Sequence, residues 1–110
     1  MFKHPRPILI VDDDVELVTL LVDYLQLEGF APVAAHNGTE ALELLSRQEF
    51  EIVVLDVMMP EMDGFEVLAM MNKYHWIDEV PVIMISAENA SSYVERAYDL
   101  GATDYISRPF

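Results

Sequence analysis

Four short runs of β-branched and aliphatic residues punctuate the chain: Ile8 to Val11, Pro32 to Ala35, Ile52 to Leu55 and Val82 to Ile85. A weaker fifth run falls at Tyr105 and Ile106. Between them the apolar period changes. Val18, Leu21, Val22 and Leu25 share one helical face, as do Ala41, Leu44 and Leu45, and again Val67, Leu68 and Met71. Asp13 with Glu16, Asn37 with Glu40 and Asp63 with Glu66 have the spacing of N-terminal capping boxes. Gly29 and Gly101 stand where helices should stop. Strand and helix alternating every ~20 to 30 residues is the rhythm of βαβ units, and it predicts an α/β, doubly wound, five-stranded parallel sheet. The runs IVVL and VIMI are apolar without alternation, the pattern expected of strands covered on both faces.

At 110 residues the chain is sized for one domain, expected over residues 1–110, with no repeat, low-complexity tract or linker to divide it. After the fifth apolar run only three residues follow Ser107, too few for a last helix. The expectation is therefore a domain truncated after its fifth strand, a fragment of a longer protein with one sheet face thinly covered and open to homodimerisation. The net charge of −14 argues against direct contact with nucleic acid or an anionic membrane and suits a divalent cation or a basic partner. With no cysteine there is no disulfide or thiolate chemistry. No apolar stretch approaches the ~18 residues that read as a membrane span. The opening MFKHPRPILIV has too short an apolar run for a signal peptide, so a cytoplasmic location is expected.

The candidate chemistry lies at the ends of the apolar runs. In an open parallel α/β sheet, ligands gather at the carboxyl ends of the strands, where strand order reverses. Asp12 and Asp13 close the first run and Asp56 closes the third. With strands in the order 2-1-3-4-5 these carboxylates converge. Such a cluster is costly unless a cation sits in it or a proton is taken up. All-oxygen donors with room for water suit Mg²⁺, or Mn²⁺ as a substitute. Ser86 ends the fourth run with a hydroxyl, and Arg108 follows the fifth with a guanidinium able to grip a phosphoryl group. Together these are the parts of a phosphoryl-transfer site with a carboxylate acceptor. Asp14, one residue further on, is expected to start a helix.

Asp12-Asp13, Asp56 followed by MMPEMDG, Ser86-Ala87, and Tyr105 with Arg108-Pro109-Phe110 occur in order and at separations that resemble the receiver domain of two-component response regulators. The resemblance covers nearly the whole chain and implies a flavodoxin-like sheet of order 2-1-3-4-5, with the family's last helix absent. It implies that Asp56 accepts a phosphoryl group from a sensor histidine kinase or phosphotransfer protein. Asp13, Asp56 and the Met58 carbonyl would hold Mg²⁺ directly, and Asp12 through water. Ser86 would bind a phosphoryl oxygen, Tyr105 would swing inward behind it, and Pro109 would fix the last loop through a cis peptide bond. Glu88 and Met58 would tune the lifetime of the acyl phosphate. An output domain could follow residue 110. One departure stands out: the family's usual lysine is Arg108 here.

Two other readings compete. Asp12-x-Asp14 resembles the nucleophile and acid/base pair of haloacid-dehalogenase phosphatases, but Glu16 departs from that motif. A non-phosphorylated, receiver-like interaction module is the other, favoured by Arg108 alone. His4, His36 and His75 are taken as surface or packing residues away from strand ends, and the internal methionines as packing residues. Trp76 is placed in a loop with no assigned role.

Overall fold

The computed structural model describes residues 7–108. Five strands, β1 (Pro7–Val11), β2 (Ala31–Ala35), β3 (Ile52–Asp56), β4 (Val82–Ser86) and β5 (Asp104–Ser107), alternate with four helices. The helices are α1 (Val15–Leu27), α2 (Gly38–Arg47), α3 (Gly64–Lys73) and α4 (Ser91–Asp99). All strand pairs are parallel, in the order β2-β1-β3-β4-β5. The α/β class and the strand order are those expected from the sequence. Pro109, and with it the expected cis peptide, lies outside the described residues.

The larger core layer packs Leu9, Val11, Val53, Leu55, Val82 and Met84 of the sheet against Ala41 and Leu45 of α2, Val67, Leu68 and Met71 of α3, and Ala97 of α4. Phe65 links the last two helices, with the Tyr93 ring 5.7 Å away and the Arg96 guanidinium over its face at 4.4 Å. The opposite layer is smaller. There Ile8, Ile10 and Val18 are buried, with Leu21, Val22, Leu25, Ile52 and Val54 packed around them.

This asymmetry corrects the expectation that the central strands are buried on both faces. Val53, Leu55, Val82 and Met84 are buried, whereas Ile52, Val54, Ile83 and Ile85 are only half-buried and Ile106 is exposed. Among the described residues α1 is the helix packed on that second face, and its contacts lie over β1, β2 and the near side of β3.

Three helix starts follow the capping logic, with one displacement. Asn37 accepts the Glu40 N–H, and Asp63 with Glu66 forms a reciprocal capping box. For α1 the cap is Asp14, which accepts the Leu17 N–H at 3.2 Å; Asp13 does not cap. β1 ends at Val11 and Asp12 stays buried beyond it, so the helix start expected at Asp14 is the one the structure has. Gly29 and Gly101 take left-handed φ values of 92° and 105° beyond α1 and α4, as helix stops should. Trp76 lies in a 3₁₀ turn (Trp76–Asp78) and packs against the larger core layer.

Leu68 is fully buried where α3 meets the sheet. Leu68→Ala is expected to cost about 2–5 kcal/mol of unfolding free energy, measured by urea denaturation.

Candidate functional site

The β1–β3 register, ending Val11↔Leu55, brings the next residues, Asp12 and Asp56, side by side at the carboxyl edge of the sheet. Asp13 completes the cluster: one carboxylate oxygen from each of Asp12, Asp13 and Asp56 lies within 4.8 Å of the others. Asp12 and Asp56 are 4% and 6% exposed, while Asp13 is open to solvent. Asp14 stands outside the group, occupied at the start of α1. The pairing of Asp12 with Asp14 that a haloacid-dehalogenase site would need is therefore not formed.

Each acid in the cluster has a different environment. Asp12 Oδ1 accepts the Asp14 N–H at 2.9 Å, and its Oδ2 meets Arg108 Nη2 at 2.5 Å. The same Nη2 is 3.5 Å from Asp56 Oδ1. Burial, and then the charge of Asp12, push the Asp56 carboxyl up to about 7; Asp13 adds to the rise, while Arg108 and the Met58 N–H oppose it. Hard oxygen donors crowded so closely that one takes up a proton near neutrality fit a divalent cation.

Arg108 reaches this site from the far side of the sheet. Its N–H donates to the Ser86 carbonyl at 2.8 Å, and its side chain crosses to β1. Ser86 is fully buried, and its Oγ accepts the Glu88 N–H at 3.0 Å. Tyr105 is half-buried on β5 and its hydroxyl donates to the Glu88 carbonyl at 2.7 Å. Ser86 and Tyr105 thus hold opposite polar groups of one residue in the loop between β4 and α4.

The loop after Asp56 is held by short backbone bonds, Val57 N–H to the Ile85 carbonyl at 3.0 Å and Gly64 N–H to the Val57 carbonyl at 2.8 Å. Gly64 had no assigned role in the sequence. A Cβ there would stand 2.2 Å from the Asp56 carbonyl oxygen, so only glycine lets α3 start this close to β3. Its position directly after the capping Asp63 is the signal that could have found it.

Three smaller expectations change. Met58 is 55% exposed at the mouth of the site and is not a packing residue. His36 does stand at the end of a strand, directly after β2, though it is not in the acidic cluster. The third is the partner of Arg108: a carboxylate already engaged, Asp12, was not foreseen.

The response regulator receiver domain family model matches residues 8–110. The chain is 41% identical over 103 residues to the transcriptional regulatory protein CpxR of Escherichia coli strain K12, covering 94% of this chain and 43% of that protein. It is 39% identical over 103 residues to the heme response regulator HssR of Staphylococcus aureus strain Newman, covering 93% and 44%. Among solved structures, the Vibrio cholerae chemotaxis protein CheY4 matches with a TM-score of 0.90 at 27% identity, covering 96% of this chain and 88% of that one. Thermotoga maritima TrrA, crystallised with Mg²⁺ and BeF, matches with a TM-score of 0.82 at 30% identity over 96% and 88%. The chain belongs to the response regulator receiver domain family. It spans less than half the length of these curated relatives. Since CpxR is by name a transcriptional regulator, the charge argument against nucleic acid applies to these 110 residues only. No helix among the described residues is long and apolar enough to cross a membrane.

Two outcomes follow from this geometry. Because the Asp56 pKa is raised from 3.8 to about 7, the native state holds a proton that the unfolded chain has released between those values. With divalent cations chelated, that contribution is full below the lower value and lost as pH rises through the upper. Asp56→Asn should therefore gain melting temperature relative to wild type from about pH 4 to 7 and then level off; a flat difference would contradict the shift. Gly64→Ala should lose about 1–3 kcal/mol in denaturant unfolding, because backbone rather than a flexible side chain must move.

Proposed function

We propose that the domain is a phosphorylation-controlled switch in which Asp56 is the phosphoacceptor. The observation that carries this reading is the placement of one nearly buried carboxylate, Asp56, between two further acids, an arginine and a buried hydroxyl at the carboxyl edge of the sheet. An Asp56 carboxylate oxygen attacks the phosphorus of a phosphohistidine on a sensor kinase or phosphotransfer protein. The P–N bond breaks as the P–O bond forms, and the imidazole leaves with a proton. Asp13, Asp56 and the Met58 carbonyl would hold Mg²⁺, or Mn²⁺, with Asp12 acting through water. The ion, when bound, supplies positive charge that draws the carboxylates together and offsets charge on the transferred phosphoryl oxygens.

The remaining roles belong to the chain. The Ser86 hydroxyl, which accepts the Glu88 N–H here, would donate to a phosphoryl oxygen, and Tyr105, bonded to the same loop residue, would follow. Differential binding of the two loop arrangements then changes the surface of α4 and β5. Kinase, output domain, homodimerisation and cytoplasmic location are part of this proposal for the whole protein. One observation favours a second reading, a receiver-like module that binds its partner without phosphorylation: Arg108 already lies against Asp12 and near Asp56.

Incubation with acetyl phosphate and Mg²⁺, followed by intact-mass spectrometry, separates the two. One phosphoryl adduct is expected on wild type and none on Asp56→Asn. Labelling that survives in the variant, or fails in wild type, would remove Asp56 from the acceptor role.

A further inference from the structure

We propose that Phe65 is the positioning residue through which a change at Asp56 reaches α4, by a route that does not pass through Ser86 or Tyr105. The inference rests on the phosphoacceptor reading above and adds to it which end of α4 moves and which stays fixed.

α4 lacks the local features that usually hold a helix start. Ala90 at its N-terminal cap makes no side-chain hydrogen bond, no acid stands in its first turn, and of its nine residues only Ala97 is buried. Its C-terminal end is nevertheless fastened. The Tyr98 hydroxyl donates to Asp104 Oδ1 at 3.2 Å, the Ala102 N–H to the Ala97 carbonyl at 3.0 Å, and Asn72 Nδ2 of α3 to the Leu100 carbonyl at 2.9 Å. The first half is held differently. Tyr93 and Arg96, three residues apart on one helical face, close on the ring of Phe65, the Tyr93 centroid at 5.7 Å and the guanidinium at 4.4 Å. Among the described residues Arg96 makes no ion pair, so the ring is its partner in a chain rich in acids. α4 is hinged at its end and latched near its beginning.

The latch is joined to the acceptor through backbone. Phe65 is 3% exposed and comes directly after Gly64, where a Cβ would stand 2.2 Å from the Asp56 carbonyl oxygen and 2.9 Å from the Val57 Cα. The Gly64 N–H is bonded to the Val57 carbonyl at 2.8 Å, and the reciprocal box of Asp63 and Glu66 stiffens the same turn. Backbone packed this closely cannot slide, so the first turn of α3 moves with the end of β3 as one body. A displacement of the Asp56 backbone therefore carries the Phe65 ring with it, and the surface on which Tyr93 and Arg96 rest shifts. Aromatic and cation–π contacts at a partly exposed site are weak enough for such a shift to break them. The hydrogen bonds at the other end stay, and α4 turns about residues 98–102.

The test uses this 110-residue chain with Mg²⁺ and beryllofluoride as the phosphoryl probe. Filling of the pocket is read from the NMR amide shifts of residues 56–58, and the state of α4 from hydrogen exchange at the amides of residues 93–97. In wild type the probe is expected to change exchange at residues 93–97 about threefold or more and to leave residues 100–102 nearly unchanged. In Phe65→Leu, which keeps an apolar side chain but no ring face, the pocket is expected to fill while the change at residues 93–97 is lost. Arg96→Met, which removes only the cation over the ring, takes its place if the first variant does not fold or fill. A change at residues 93–97 that survives in the variant overturns the inference. So do equal changes at both ends of α4 in wild type, or none while residues 56–58 respond; the acceptor reading stands in these cases. Residues 56–58 unresponsive in wild type would remove the acceptor reading and this inference together.

Discussion

The repulsion between Asp12 and Asp56 organises this end of the molecule. Both carboxylates are almost wholly buried, and the parallel pairing of β1 with β3 gives them no other place to go. Two neighbouring backbone groups and one distant side chain answer that repulsion: the Asp14 N–H beside Asp12, the Met58 N–H beside Asp56, and Arg108 from beyond β5. What they leave uncompensated is met by proton uptake on Asp56. A buried pair of like charges is tolerated here because every remedy is close and none is complete. That incompleteness leaves the site receptive to an added cation.

The core layers bear on the site through geometry more than through energy. The thick layer under α2, α3 and α4 fixes β3 and β4 against each other, and Gly64 lets α3 begin in contact with the Asp56 backbone. The phosphoacceptor candidate is therefore held by the most buried part of the fold. The loop that carries Glu88 is different: it is exposed at nearly every position and tied mainly through two side-chain hydrogen bonds. Rigid and adaptable halves thus meet at Ser86, which is buried on β4 yet bonded to the loop.

Much of this was legible in the sequence because it rests on local patterns. Hydrophobic runs and the switch to helical period give the elements, and acids at the ends of the first and third runs give Asp12, Asp13 and Asp56 once the strand order is supplied. The features that were hidden depend on distances across the fold. The Arg108–Asp12 pair joins residues 96 positions apart, and no local pattern encodes it. The tight approach at Gly64 is a matter of backbone packing, and the half-covered face of β3 to β5 depends on which helix lies where. At α1 the sequence offered two answers, the Asp13–Glu16 spacing and Asp14 as the helix start, because three consecutive aspartates offer the same chemistry; the structure selects Asp14.

The double tether on Glu88 carries a consequence for the fidelity of the proposed switch. Its N–H and carbonyl are each held by one neutral hydrogen bond at a loop open to water, and a net hydrogen bond of that kind contributes only about 0.5–1.5 kcal/mol. Water can replace the Tyr105 hydroxyl with little loss, while the Ser86 bond is the more sheltered of the two. In the proposed switch the loop would therefore be released at a cost small enough for contact with one phosphoryl oxygen to offset. A switch tethered so lightly would give up a sharply held resting state for a response that needs little energy to complete.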